Sequence, residues 1–385
     1  MKKFSLKSTG RRTQILREKF VEVTKLEEAR LDADVRIELK LESATDWSSD
    51  ECAFSSSKNT SILSPGGYTL IVIAVCLGYY QPNNIQALIR ALGNEARGVA
   101  QEVVITLVAN DWAEWEIGEL ALSLSSSFSI GPAVELIHET RRGIPFARNA
   151  ALAHAVSLEA SWIAFIDDDC QPQPAWLTEL HNCAVANDCD AVAGGWEIVA
   201  DGPTSRLLPR DCFGLKTYQA NGIKAEANSR LQTAYTRSVM FDVSKNSLVQ
   251  QHGLRFDESR VALGGSDVIF FKELTRRGGT IVYCPSSQVK EFYQGERLTL
   301  RWWFWRRVRD AQFRLERREL SLRDLYLFLT SVLKILLGVP FVLWALRWRT
   351  TSGGEELGRV SLTFAAVWGV IVYKIFRYKS YAVRS

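Results

Sequence analysis

Apolar stretches of strand length alternate with amphipathic stretches of helical length from residue 68 onwards. Residues 68–77 are almost wholly apolar and rich in β-branched side chains, as in a strand buried on both faces of a sheet. Apolar side chains recur at helical spacing over residues 84–92, which predicts a helix with one buried face. The same patterns predict strands at 102–108, 134–138, 162–166 and 191–195, and helices at 146–157 and 176–187.

Strands and helices in regular alternation are typical of βαβ units. The predicted fold class is therefore α/β, Rossmann-like, with a mainly parallel sheet and flanking helices. In such sheets ligands bind at the carboxyl ends of the strands, so residues that directly follow a strand are the first candidates for a functional site. We assign this domain to residues 68–300.

The segment before this domain has a different composition. Residues 1–67 are charged, Ser-rich and poor in apolar periodicity, and we expect them to be poorly ordered. A short helix is expected near residues 13–30, and linker sequence at 55–60 and 65–67.

Two apolar segments follow the domain, at residues 325–346 and 360–373. Spanning a membrane takes roughly 20 apolar residues; the first segment is long enough but contains Lys334 and Pro340, and the second is short. We expect a membrane hairpin, with two interfacial helices or a buried soluble pair as alternatives. An Arg/Trp/Phe stretch precedes them and favours a membrane surface, so we assign residues 301–385 to an interfacial stretch followed by two apolar helices.

Overall charge and cysteine content add little to this interpretation. The chain has 47 Lys and Arg against 43 Asp and Glu, so its net charge of +4 gives no indication of a nucleic-acid partner, and we expect none. Seven cysteines without a C-x-x-C pair favour a reducing compartment. The amino terminus has no apolar signal-peptide core, so export by that route is not expected.

Three consecutive carboxylates, Asp167, Asp168 and Asp169, follow the predicted strand at 162–166. Like charges repel, and strand stability does not require them there. A divalent cation with oxygen ligands, Mg²⁺ or Mn²⁺, would relieve the repulsion. A solvated acidic turn is the alternative, but the position at a strand end favours the metal.

Four motifs occur in a fixed order: GIPFARN at 143–149, FIDDD at 165–169, FDE at 256–258 and GGSD at 264–267. Each is weak alone. Their order and spacing resemble family 2 glycosyltransferases of the GT-A fold, in particular bacterial enzymes that build exopolysaccharides such as succinoglycan. The resemblance covers about residues 68–311.

The resemblance implies roles for the carboxylates. Asp169 would ligate the metal on the donor diphosphate, Asp167 would lie near the ribose, a metal-bound water or both, and Asp168 would belong to the nucleotide-sugar site. Asp267 resembles the general base of an inverting displacement. The family usually has Glu-Asp where this chain has Ser266-Asp267, and a helix N-cap pair is a compatible alternative.

The resemblance places Arg148 and Asn149 near the nucleotide, at the start of a helix, where anions are favoured. An ion pair from Arg148 to Asp167 or Asp168 is the alternative.

Asn110 and Asp111 resemble the nucleotide-contacting acidic turn of the family. Ala109 stands where an aspartate is common, which leaves base selectivity open.

Arg301-Trp302 resembles an element that processive synthases place over the acceptor channel, although the glutamine expected three residues earlier is Leu298. These two residues are candidates for the acceptor or membrane side. The departure argues against a processive polymerase.

The expected function is metal-dependent, inverting transfer of a sugar from a nucleotide-diphosphate sugar to a lipid-linked or growing glycan acceptor. The expected cofactor is Mn²⁺ or Mg²⁺. Because basic residues at the outer flanks of the apolar segments outnumber those between them, we expect the cytoplasmic face of the cell membrane. A nucleotidyltransferase or a non-catalytic scaffold of the same fold are the competing hypotheses.

Overall fold

A computed structural model describes residues 39–40, 69–78, 82–127, 132–220, 223–261, 264–316, 359, 361–362, 365 and 368. The predicted helix at 13–30, both linker stretches and the apolar segment 325–346 lie outside these residues, as does most of the segment 360–373. No helix in the described part of the chain is long and apolar enough to cross a membrane. The chain divides into two compact units: residues 1–168 with 243–245, and residues 169–242 with 246–385.

The first unit contains five parallel strands: β1 Leu39–Lys40, β2 Leu70–Leu77, β3 Glu102–Asn110, β4 Ala133–Glu139 and β5 Trp162–Ile166. Their spatial order is β1-β4-β3-β2-β5, and every neighbouring pair is parallel. Residues 71–77 of β2 are buried, as the apolar run predicted. The predicted strand 162–166 is confirmed to the residue, and those at 68–77, 102–108 and 134–138 are confirmed with ends shifted by one or two residues. The strand predicted at 191–195 extends to Ala200.

The helices of the first unit are α1 Pro82–Arg97, α2 Glu114–Ser127 and α3 Ile144–Ser157. The predicted apolar face of α1 is buried at Ile85, Leu88, Ile89 and Leu92. Helix α2 was not predicted, because its carboxyl-terminal half is rich in serine, a weak helix former.

The second unit is mixed. Its strands are β6 Cys170–Pro172, β7 Ala191–Ala200, β8 Gly214–Lys216, β9 Gln219–Ala220, β10 Ile223–Lys224, β11 Arg230–Leu231, β12 Ser238–Asp242 and β13 Ile281–Tyr293. Among the strands described in this unit, only β7 and β13 pair in parallel, with a register shift between Cys284 and Gln288. Strands β6, β8, β11 and β12 all pair antiparallel to one of these two, and β9 pairs antiparallel with β10.

The prediction of a mainly parallel sheet is therefore correct for the first unit and wrong for the second. Between residues 200 and 242 the chain does not alternate strand with helix. Short strands joined by turns replace the crossover helices that parallel pairing requires.

The helices of the second unit are α4 Trp176–Asn187, α5 Leu248–Gln251, α6 Ser266–Arg276 and α7 Leu300–Glu316. Helix α4 has the predicted bounds. Helix α6 packs Phe270 and Phe271 against Phe241 of β12, with ring centroids 5.3 and 5.5 Å from that ring.

Gly194 lies where β7 comes closest to its neighbours. The Trp176 indole donates to Ser238 Oγ at 3.0 Å, and Ser287 Oγ donates to the Trp176 carbonyl at 2.9 Å. A Cβ at position 194 would lie 2.2 Å from Ser238 Oγ and 2.8 Å from the Ser287 carbonyl oxygen. Only glycine leaves room for this buried polar network.

Candidate functional site

The acidic triplet begins directly after β5, at the carboxyl end of a buried parallel strand. Gly78, the first residue after β2, donates its amide to Asp168 Oδ2 at 2.9 Å. Strands β2 and β5 are neighbours in the sheet, so this hydrogen bond joins two adjacent strand ends. The predicted position of the triplet, at the edge where α/β sheets bind ligands, is confirmed.

Arg148 lies in the second turn of α3 with only 8% of its surface exposed. Burial raises the pKa of the Cys76 thiol to about 12, the positive charge of Arg148 acts to lower it, and Asp167 and Asp168 act to raise it. The charges of Arg148, Asp167 and Asp168 therefore all act on this one buried thiol. Asn149 is also buried, at 4% exposure.

Asn110 is the last residue of β3, and its side chain holds the turn before α3. Its Nδ2 donates to the Arg141 carbonyl at 2.8 Å, and its Oδ1 accepts from the Gly143 amide at 2.9 Å. Arg141 in turn donates through Nε and Nη2 to both carboxylate oxygens of Glu139, at 3.0 and 2.9 Å. Asn110 thus organises the backbone at the start of α3.

Asp111 follows with a left-handed backbone, φ 60°, and its amide donates to the Glu139 carbonyl at 2.9 Å. Its carboxylate is 3.7 Å from Arg142, and both side chains are largely exposed. Of the two residues in this turn, Asp111 is the one whose side chain faces solvent.

Asp169 belongs to the second unit, where its carbonyl accepts from the Phe292 amide at 3.0 Å. Its carboxylate forms an ion pair with Arg297 through Oδ2 and Nη1. Both side chains are partly buried, with 39% of Arg297 and 28% of Asp169 exposed. Burial lowers the pKa of Arg297, but Asp169 more than offsets this, so the pKa lies above its usual value.

Arg297 is held beside an aromatic cluster formed by Tyr293, Trp302 and Trp303. The Trp303 indole donates to the Arg297 carbonyl at 3.0 Å, and the guanidinium lies 5.3 Å from the Tyr293 ring centroid and 5.9 Å from that of Trp302. Arg306 donates to the Tyr293 hydroxyl at 2.7 Å. The predicted acceptor-side residue Trp302 is therefore part of this cluster, whereas Arg301 is exposed.

Asp267 is the second residue of α6, half-buried, with its Oδ1 accepting from the Val268 amide at 2.9 Å. The N-cap position is Gly265, not Ser266 or Asp267, and it makes no side-chain cap. Burial raises the pKa of Tyr235, and the charge of Asp267 raises it further. Asp267 is thus held in the first turn of a helix.

Gly265 explains part of the GGSD motif. Its backbone is left-handed, φ 72°, and a Cβ there would lie 2.4 Å from Cζ of Phe313 on α7. Glycine satisfies both the backbone conformation and the close approach of the ring.

No group of three or more His, Cys, Asp or Glu side chains in the described part of the chain is arranged to hold a metal ion. A cation carried on a diphosphate needs only one or two protein carboxylates, because phosphate and water supply the remaining ligands.

Sequence reasoning missed Arg297 and Tyr293. A signal was present in the sequence. The glutamine expected three residues before Arg301 is absent, because that position is Leu298, but Gln294 stands three residues before Arg297. In addition, both missed residues lie at or just beyond the end of β13.

The same fold occurs in a mannosyltransferase from Pyrobaculum calidifontis, solved in complex with GDP-Man and Mn²⁺. The TM-score is 0.52 at 13% identity, over 82% of this chain and 90% of that one. The protein is thus an α/β protein with a GT-A-like fold. Residues 107–245 match the model of Glycosyl transferase family 2.

Over 176 residues the chain is 30% identical to the succinoglycan biosynthesis protein ExoM of Rhizobium meliloti (strain 1021), which is 46% of this chain and 53% of the relative. The chain spans about half the length of that curated relative. The structure of S. aureus TarS 1-349 in complex with UDP-GlcNAc has a TM-score of 0.42 at 14% identity, over 60% of each chain. The resemblance drawn from the four motifs is confirmed, although the family match ends before Asp267.

Proposed function

We propose that this protein is a metal-dependent, inverting glycosyltransferase that uses a nucleotide-diphosphate sugar. The observation that carries the proposal is a family 2 domain whose acidic triplet directly follows a buried parallel strand. The P. calidifontis enzyme of the same fold was solved with GDP-Man and Mn²⁺, which makes nucleotide sugars with Mn²⁺ the first probes to test.

In this proposal Asp169, with Asp167, holds the cation. A bound Mn²⁺ or Mg²⁺ supplies positive charge to the diphosphate leaving group. Asp168 is fixed by the Gly78 amide, so it shapes the edge of the site, while buried Arg148 and Asn149 support it from α3.

Asp267 acts as the general base. Its carboxylate takes the proton of the acceptor hydroxyl as the acceptor oxygen attacks the anomeric carbon. The bond from that carbon to the diphosphate oxygen breaks on the opposite face, and the nucleoside diphosphate leaves.

Donor binding tests the metal assignment. Asp169→Ala should abolish the Mn²⁺-dependent part of the affinity for UDP- or GDP-sugars, because a direct ligand is lost. Asp201→Ala, which removes an exposed carboxylate of the same unit, is the matched control and should bind as the parent does. Unchanged Mn²⁺-dependent affinity in Asp169→Ala would show that the assignment is wrong.

Analysis of the products formed from the same nucleotides separates the competing hypotheses. A non-catalytic scaffold would bind donor without hydrolysing or transferring it. A nucleotidyltransferase would instead release pyrophosphate from a nucleoside triphosphate.

We also propose that the acceptor is a lipid-linked or growing glycan and that the protein works at the cytoplasmic face of the membrane. The apolar segments at 325–346 and 360–373 and the aromatic, Arg-rich stretch before them support this. A chain ending at Glu316 is the appropriate comparison, because it lacks both apolar segments but keeps α7 with Phe313, and Arg297.

Membrane fractions washed with carbonate should retain the full chain and release the chain ending at Glu316. Both should bind donor equally, whereas transfer to a lipid-linked acceptor should fall in the shorter chain, because anchoring raises the effective acceptor concentration. A full chain that is soluble without detergent would contradict the membrane proposal and leave the donor chemistry untouched.

A further inference from the structure

The carboxylate of Asp169 is occupied on both oxygens. Arg297 Nη1 pairs with Oδ2, and the Cys170 thiol lies 3.7 Å from Oδ1. A cation at Oδ2 would have to displace the guanidinium, and a cation at Oδ1 would be repelled by the guanidinium on the other oxygen, so either position weakens cation binding.

Both partners of the ion pair are held in place by the backbone. The Asp169 carbonyl is bound by the Phe292 amide, and the neighbouring residue Cys170 pairs with Glu291 in the β6–β13 ladder. On the other side, the Arg297 amide donates to the Gln294 carbonyl at 3.1 Å, and its carbonyl accepts from Trp303. A mobile surface pair would pay a large entropy cost to form, whereas this pair is already positioned.

A displaced Arg297 side chain would keep favourable surroundings. The faces of Tyr293 and Trp302 already contact its guanidinium and stabilise a cation there by cation–π attraction. Displacement by a cation alone would nevertheless leave two positive groups beside one carboxylate. A diphosphate brings the negative charge that balances both.

We infer that Arg297 is a positioning residue that competes with the metal for Asp169, so that the cation binds well only together with the nucleotide diphosphate. The inference rests on the proposed function, in which Asp169 is a metal ligand. It explains why a carboxylate at the end of a buried strand is stable without a cation. It also means that donor and metal should bind with positive cooperativity.

Electron paramagnetic resonance of free Mn²⁺ measures this without any turnover. In the parent protein we expect weak Mn²⁺ binding alone and tighter binding with UDP or GDP. Arg297→Gln should tighten binding of Mn²⁺ alone by roughly tenfold, the scale of losing one charged hydrogen bond, and so reduce the effect of the nucleotide. Adding Asp169→Asn to Arg297→Gln should abolish that gain.

Arg306→Gln is the matched control. It also removes one positive charge beside the aromatic cluster, but Arg306 donates to the Tyr293 hydroxyl and not to Asp169. Arg306→Gln should leave the affinity for Mn²⁺ alone within about twofold of the parent value. An equal gain in affinity in both variants would mean that the loss of any nearby positive charge is sufficient, and it would overturn the inference. Unchanged or weaker Mn²⁺ binding in Arg297→Gln would overturn it as well. Thermal unfolding checks that each variant is folded, and Arg297→Lys, which keeps the charge but loses the planar fork, should show a smaller gain.

The two proposals fail in different ways. If the parent protein bound no Mn²⁺ with either nucleotide, metal-dependent donor binding would be wrong. An Asp169-dependent Mn²⁺ site that appears in Arg297→Gln would still support the competition.

Discussion

Gly265 and Phe313 are in contact across the start of α6: a Cβ at position 265 would lie 2.4 Å from the Phe313 ring. Gly264 is also left-handed, φ 69°, but a Cβ there would meet nothing within 4 Å. The two glycines therefore separate backbone strain from steric overlap.

We predict that Gly265→Ala destabilises the protein by about 2–4 kcal/mol and Gly264→Ala by about 1 kcal/mol, because only the first adds overlap to backbone strain. Chemical unfolding measures both. In a protein that already carries Phe313→Ala, adding Gly265→Ala should cost little more than Gly264→Ala does, because the overlap with the ring is gone. Equal costs for the two glycines would show that α7 does not pack against the motif.

Asp267→Asn should keep donor affinity and lower the transfer rate by roughly 10²-fold or more, because the amide cannot accept the acceptor proton. The control is Asp257→Asn, which removes an exposed carboxylate that accepts from the Ser259 amide at 3.0 Å. Transfer near the parent rate in Asp267→Asn, accompanied by a lower melting temperature, would assign Asp267 to helix stabilisation alone.

Gly194→Ala should be far more damaging than Gly195→Ala. The first places a methyl 2.2 Å from Ser238 Oγ, whereas the second meets Tyr283 Oη at an ordinary 3.4 Å. We expect a loss of about 2–3 kcal/mol for Gly194→Ala and less than about 1 kcal/mol for Gly195→Ala. Urea unfolding of both variants decides, and comparable losses would contradict the close approach of β7 to its neighbours.

Glu273 on α6 gives a pH-dependent contribution to stability. Hydrogen bonds from Arg276 and Arg277 lower the pKa of Glu273 to about 2. Because the folded pKa lies below the unfolded value of about 4.3, the stabilisation is present above pH 4.3 and is lost as the pH falls towards 2. Melting temperatures of the parent and Glu273→Gln should differ slightly at pH 6, on the scale of an exposed pair, and converge near pH 2.

High salt should shrink the difference at pH 6, because the side chains are partly exposed. A difference that persists at pH 2 would point to a packing role for Glu273.

The first unit could be predicted closely from sequence because its signals are local. Apolar runs define β2 and β5, and helical spacing defines the buried face of α1. The acidic triplet could be placed at a strand end for the same reason.

The second unit could not be predicted to the same degree. Its short strands carry too few residues for a clear period, and β11 has only two. The ion pair between Asp169 and Arg297 joins residues 128 positions apart, which no local pattern contains. The motifs identified Asp169 as a candidate site residue but not Arg297, the residue that pairs with it.

The hydrogen bonds of Asn110 bear on any attempt to change which nucleobase the protein accepts. The side-chain amide of Asn110 donates to the Arg141 carbonyl and accepts from the Gly143 backbone amide. Replacing Asn110 would therefore move the loop that leads into α3. Libraries aimed at donor preference should therefore keep Asn110 and vary Asp111 and Arg142, whose exposed side chains can change without loosening the scaffold.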